Sequence, residues 1–547
     1  MQDTKVLNES NDDKSSDSDV FVTRKRPRRM ITDESSEEEV TTCQSWIWQK
    51  VKNTPIVWKY SETRGIKASV LNNLSEDPKV LDLFSIIFDN KLWEILVTET
   101  NRFAHQTMHN EHKRRKLDET WYPVTLDEIK VYYALCILMG QVKKSNIQLY
   151  WTIRAVVETP IFRKTMPFKR FRQISRFLHF SDNETADSND QLGKIRPIIN
   201  LWNEKFKEIY TPNEYVSLHE SLIKYNGRLA YKQFNPSKRA RFGLKIYKLC
   251  EASTGFCHGF QIYTDKDKID RNDDSASENV VMELSKSIMN KGYTLFLDNW
   301  HSSPNLFLKL HQKKTNVIGT VRKNKKNMPE DIRNRILKKG ECVWRCCSNL
   351  IALKWKDKRN VYMLSTKHES VEMVEQSDKE LQKITKPNIS LEYNKGRGIV
   401  NHQDQMLSCF PIMRKVIKGY RKLFFYMSDV ALFNTYIMYK TMNSRIGETY
   451  VDYQINIAEA ILQNVELPNY KTRGKSTSIE PFRLQAQYWA HFPKNIDPTP
   501  RKKHPTRMCK VCYKHKIRSE TKWECAECKV ALHLPECFRK YHTMEVF

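Results

Sequence analysis

Two groups of residues in this chain have types and spacings that could do chemistry. The first lies at the C-terminal end: Cys509-x2-Cys512, then Cys525-x2-Cys528, then His533, Cys537 and His542. Thiolates two residues apart form a knuckle that supplies two corners of a tetrahedron around a soft ion, and two such pairs at this separation are a strong zinc signal. Seven candidate ligands, eight with His515, favour two zinc ions in an interleaved arrangement. Spacing leaves open which ligand serves which ion. Protein fills every position, so the sites read as structural rather than catalytic. A module of about forty residues buries little core and should need its metal to fold.

The second group centres on Tyr293-Thr294-Leu295-Phe296-Leu297-Asp298-Asn299-Trp300-His301. A short run rich in aromatic and branched residues reads as a buried strand. It ends on a carboxylate, at the place where α/β folds put their chemistry. An Asp there also serves as a cap for the next helix.

These groups must be positioned by the rest of the chain. Residues 214–320 read as a mixed α/β sheet. Strands are expected at 214–220, 244–250, 259–263, 293–297 and 317–321, with helices at 279–289 and from 306. Residues 321–392 break the pattern and read as an insertion, with short strands within 342–355 and at 361–365 and a polar loop over 367–390. In it Cys342, Cys346 and Cys347 lack metal spacing and read as small buried residues. Residues 393–465 return to the core, with a helix opening at 401–406 and a long apolar helix over 423–442. Upstream, residues 45–213 read as helical. Thr125-Leu126-Asp127-Glu128 is a capping-box pattern, and Arg170, Arg172 and Arg176 line the polar side of an amphipathic stretch that could lie along a phosphate backbone. Residues 466–505 read as a basic linker ending in Arg501-Lys502-Lys503-His504, and residues 506–547 as the zinc module.

Composition narrows the partner. The 547 residues carry a net charge of +28 with 11% aromatics, although the first forty are acidic. A large basic chain of this kind usually has a polyanionic partner, most often nucleic acid. No apolar run of about 18 residues and no signal-peptide pattern occurs, so a membrane is not expected. Residues 1–44 are disordered by composition, and Arg24-Lys25-Arg26-Pro27-Arg28-Arg29 within them reads as a nuclear-import or nucleic-acid patch. The nucleus is the expected location.

Several separate segments, in order, carry a resemblance. They are Leu218–Gln233 with Gly243-Leu244-Lys245, Leu297-Asp298-Asn299-Trp300, Gly319-Thr320-Val321-Arg322-Lys323-Asn324, Tyr393-Asn394 through Gln405-Met406, and the terminal Cys/His module. Over residues 45–547 the chain resembles the piggyBac transposases and their host-domesticated derivatives. The resemblance implies an RNase-H-like DDE core with an insertion, preceded by a mainly helical DNA-binding and dimerisation region and followed by a small zinc finger that reads DNA. It also implies a double-stranded DNA partner, a homodimer, and phosphoryl transfer by two Mg2+ ions held on three or four carboxylates.

The departures from that pattern decide the expected function. The first family Asp matches His219, the second Asp298, the third Asn401, and a further one Asp404. A neutral imidazole and a neutral amide thus stand at two anionic positions, and His suits softer metals than Mg2+. Glu220 would point to the opposite sheet face, so it rescues the site only through a bulge. The chain therefore reads as a catalytically defective, transposase-derived nuclear DNA-binding protein, with Asp298 and Asp404 as the catalytic remnant and Mg2+ relevant only to residual activity. The alternatives are an active or residual DDE transposase, and a chromatin or protein adaptor working through the finger.

Overall fold

The computed structural model describes residues 46–109, 115, 117–187, 189–225, 227, 229, 231–234, 242–264, 274–377, 383–412, 418–442, 447–466, 470, 491–500, 502–544 and 546–547. The acidic tail and the cluster Arg24–Arg29 lie outside them, as do the side chains of 398–402.

A nine-stranded sheet organises the chain. Strand β1 (Tyr215–Lys224) is central. On one side it pairs antiparallel with β2 (Phe242–Glu251), which pairs antiparallel with β3 (Cys257–Ile262). On the other side it pairs parallel with β4 (Thr294–Leu297), and β4 with β5 (Asn316–Thr320). The order β3-β2-β1-β4-β5, three antiparallel strands and then two parallel ones, is RNase-H-like. The mixed α/β expectation therefore holds. The stretch read as an insertion contributes β6 (Cys342–Cys347), β7 (Leu350–Lys356) and β8 (Asn360–Ser365), which prolong the same sheet through an antiparallel β8–β5 pairing. The stretch read as a polar loop contains a hairpin, Met373–Ser377 against Lys383–Pro387. Of the three cysteines expected to be buried, Cys346 and Cys347 are, and Cys342 is half-buried.

Helices cover both faces. On one, Asp274–Ser285 and Pro304–Gln312 bury Val281, Leu306, Phe307 and Leu310 with Val216, Leu218, Leu295 and Val317. On the other lies α1 (Asn388–Cys409), whose Ile389 and Tyr393 pack with Phe296 and Ile318. This helix starts well before the expected Asn401. Strand alternation splits the residues of β1 between the two layers. Val216 and Leu218 go to the first, while Tyr215, His219 and Ser221 meet α1 through Glu392 and Asp404.

The helical region packs around a long helix, Gly419–Met442, whose Leu423, Phe424, Met427, Val430 and Phe433 are buried with Phe84, Phe88, Tyr133 and Trp202. The Thr125 capping box forms: the Glu128 N–H donates to Thr125 Oγ1 at 3.2 Å and the Thr125 N–H to Glu128 Oε2 at 3.4 Å. The expected basic face does not. Arg170 is buried against Glu128 at 2.6 Å, and Arg176 bonds Asp118 at 2.7 Å. Buried carboxylates at 118 and 128 need partners, and these two arginines supply them. Arg172 alone of the three stays exposed. No helix among the described residues is long and apolar enough to cross a membrane.

Candidate carboxylate and metal sites

The carboxylate site forms where β1, β2, the end of β4 and α1 meet. Ser217 pairs with Phe296 at the end of the parallel β1–β4 ladder, and His219 and Asp298 each lie two residues further on. Asp298 follows β4 directly, and its Oδ1 accepts the Trp300 N–H at 3.0 Å. It therefore also shapes the turn after the strand. Asp404 arrives from α1. Asn401 lies one turn before it on the same helix, and its side chain is outside the described residues.

Asp404 is surrounded by donors. His219 Nε2 lies 3.3 Å from Oδ2, and Ser221 Oγ donates to both oxygens at 2.9 Å. The third neighbour was missed by sequence reasoning. Lys248, on β2 opposite His219, places Nζ 2.6 Å from Asp404 Oδ1 and 2.7 Å from Gln403 Oε1. Its side chain is fully buried. Burial alone would raise the Asp404 carboxyl, but the Lys248 ammonium and the His219 hydrogen bond outweigh it and hold the group well below the usual carboxylate range. Burial likewise opposes the Lys248 charge, and Tyr426 and Asp404 overcome it. A signal for Lys248 did exist: it interrupts the phase Leu244, Ile246, Cys250, which is otherwise apolar and buried.

Glu220 is turned away from Asp404. Its side chain is on the opposite face, 2.9 Å from Lys245. Lys245 and Arg322 in turn lie over the half-exposed Trp300 ring, at 5.1 and 4.4 Å.

The Cys/His module builds two compact donor groups. Cys509, Cys512, His533 and Cys537 form one, and His491, Cys525, Cys528 and His542 the other; within each, the ligand atoms lie within 4.8 Å of one another. Both could hold a metal ion. Cys512 Sγ and Cys537 Sγ are 3.8 Å apart, which matches the edge of a tetrahedron with ~2.3 Å metal–sulfur bonds. All seven expected ligands are brought into these groups, and the pairing interleaves. His515 is not; it sits on an exposed loop. His491 is a donor missed within the supposed linker. Its route is structural: Pro493–Asn495 pairs antiparallel with Trp523–Cys525, with Pro493 opposite Cys525, and this delivers His491 to within 3.3 Å of Cys525 Sγ. The signal was a shortfall, since eight positions were needed and the tail after Cys509 supplies seven in reach.

Outer contacts fix the donors. His542 Nδ1 bonds the Phe538 carbonyl at 2.8 Å, turning Nε2 to Cys528, and His533 Nε2 bonds the Glu520 carbonyl at 3.1 Å, turning Nδ1 to Cys512. Burial pushes the Cys509 thiol up, but the backbone N–H groups of Cys512, His533 and Val511 outweigh it and bring it down to about 7, whereas burial pushes the Cys512 and Cys537 thiols up.

A family model described as Transposase IS4 matches residues 80–436, more than half of the chain. The chain belongs to the piggyBac-type transposase family. It is 24% identical over 484 residues to the human PiggyBac transposable element-derived protein 3, covering 85% of this chain and 76% of that one. It is 24% identical over 387 residues to the human PiggyBac transposable element-derived protein 2, covering 67% and 62%, so it spans under two thirds of that relative's length. Among solved structures, a piggyBac transposase synaptic complex with hairpin DNA aligns with a TM-score of 0.66 and 21% identity over 86% of this chain and 99% of that one. That likeness is one of fold.

PiggyBac-type transposases imply a divalent metal, and the residues around Asp404 do not fit one. Two unit charges ~4 Å apart interact by ~4 kcal/mol at an effective dielectric of ~20, and a divalent ion doubles this. A hard cation at Asp404 would therefore face the Lys248 ammonium at close range. It would find a histidine where an oxygen ligand is needed.

Proposed function

We propose that this chain is a piggyBac transposase-derived DNA-binding protein of the nucleus whose former catalytic site no longer supports phosphoryl transfer. The observation behind this reading is that His219, not a carboxylate, lies 3.3 Å from Asp404, while the neighbouring Glu220 is turned away to Lys245. Of the four positions matched to family carboxylates, Asp298 and Asp404 remain acidic, for a reaction that needs two closely spaced divalent ions.

The C-terminal module would carry the DNA contact, with a zinc ion in each donor group. Sulfur and imidazole donors at tetrahedral spacing suit zinc and not magnesium. Its segment Tyr513-Lys514-His515-Lys516-Ile517-Arg518, the end of a short helix and the turn after it, is exposed throughout, and it mixes cations with an aromatic side chain as a surface for phosphate backbones does. The relative solved with hairpin DNA supports a duplex partner, and a protein that synapses DNA ends in pairs would act as a homodimer. The basic cluster Arg24–Arg29 supports nuclear import.

Two measurements test the reading. The zinc-loaded chain should shift duplex DNA with an affinity that falls steeply with salt and is lost on chelation. It should also leave a terminal-repeat substrate uncut in Mg2+ or Mn2+. Excision that disappears on Asp298→Ala would establish an active transposase instead.

A further inference from the structure

We propose that Lys248 is the resident cation of the former metal site, taking the charge position beside Asp404 that a divalent ion would need. The site is then closed to metal by the ammonium it holds, as well as by the carboxylates it lacks. This inference deepens the reading above for the same site, and it is measured without DNA.

The geometry is that of a built cation position. Lys248 is fully buried within a strand phase whose other members are apolar, where an unpaired ammonium would be expelled or discharged. Two oxygens from consecutive residues of α1 receive it, Gln403 Oε1 at 2.7 Å and Asp404 Oδ1 at 2.6 Å. Gln403 is itself fixed, because its amide donates to the Gly255 carbonyl at 2.7 Å. The Tyr426 ring lies 5.8 Å from the same ammonium. Lys248 also spans from β2 to α1 and so ties the helix bearing Asp404 to the sheet. A metal ion at Asp404 would have to displace a buried, doubly bonded ammonium or sit against its charge. Ser221 and His219 complete the donor shell around the carboxylate, so Asp404 is satisfied by protein alone.

Restoring carboxylates is therefore insufficient. In zinc-loaded full-length protein, the double variant His219→Asp/Asn401→Asp is expected to bind Mg2+ or Mn2+ little better than the wild type by calorimetry. Adding Lys248→Met should tighten binding by at least about tenfold, since it removes a like charge at close range. Lys248→Gln in the same background serves where Met leaves the chain unfolded, because it keeps a hydrogen-bonding group without the charge. A double variant that binds as tightly as the triple variants overturns the proposal. So does a wild-type melting temperature that rises in Mg2+ and stops rising on Asp404→Asn. If the chain proves not to bind DNA, these readings are unaffected; if the double variant binds metal tightly, the DNA-binding reading still stands.

Discussion

The Cys/His module was expected to hold zinc and the carboxylate site Mg2+ only if some activity remained, and their surroundings differ sharply. In the module eight donors stand in two complete sets, each oriented by carbonyls behind it. At the carboxylate site the single helix-borne anion, Asp404, is matched by a lysine, a histidine and a serine. The difference follows from core size. The module's own buried cluster is little more than Cys509, Val511 and Leu532, so an ion in each donor group would supply much of what holds its fold. The sheet is buried between helical layers and stands without one, provided the buried charge on Asp404 has a partner. A site on a self-sufficient core can change its ligands and lose only chemistry; a site that is the core cannot.

The largest test of this contrast is chelation. Structural zinc contributes ~10–16 kcal/mol of apparent folding free energy in small modules at neutral pH. A strong chelator should unfold residues 491–547, seen as lost amide dispersion and new protease cuts there, with the melting of the sheet domain unchanged. Cooperative loss of both regions would break the comparison.

The module also marks how far the sequence could be read. Its seven ligands were legible because CxxC spacing is a local property. His491 was not, because the Pro493–Asn495 pairing that carries it to Cys525 spans some thirty residues. Likewise the strand leading to Asp298 is plain in its apolar run, and the opposite orientation of Glu220 follows from strand alternation. Lys248 is a tertiary fact: only the docking of α1 on β2 turns a lysine in an apolar phase into an ion pair. The same cause defeated the basic face at 170–176, where Arg170 and Arg176 answer buried Glu128 and Asp118 contributed by other segments.

A finer test separates His491 from His515. His491→Ala removes one of four ligands from one site, and a quarter of ~10–16 kcal/mol is ~2.5–4 kcal/mol, on the order of a hundredfold to a thousandfold in affinity. Competition with a chromophoric chelator should show one ion weakened and the other unchanged. His515→Ala should leave both as they are. A reversed result would exchange their roles and reopen the ligand pairing.

The smallest expected effect concerns the other end of α1, where protein groups again answer a buried charge. Glu392 Oε1 lies 2.9 Å from Lys367 Nζ and accepts from the Tyr215 hydroxyl at 3.0 Å, and His368 Nε2 is 3.1 Å from Oε2. Burial would raise this carboxyl, but the His368 hydrogen bond and the Lys367 ammonium outweigh it and hold it at about 2. A carboxyl depressed in the folded state stabilises above its unfolded value, ~4.3, and that contribution fades as pH falls through the folded one. Glu392→Gln should therefore cost on the order of 2 kcal/mol at pH 6, and the gap to wild type in urea unfolding should close between pH ~4.5 and ~2. Asp404, depressed further by Lys248, should hold its contribution to still lower pH, so Asp404→Asn should keep its gap where Glu392→Gln has lost it. If both gaps closed together, Lys248 would be no stronger a partner to Asp404 than Lys367 is to Glu392, and the former metal site would be an ordinary buried ion pair.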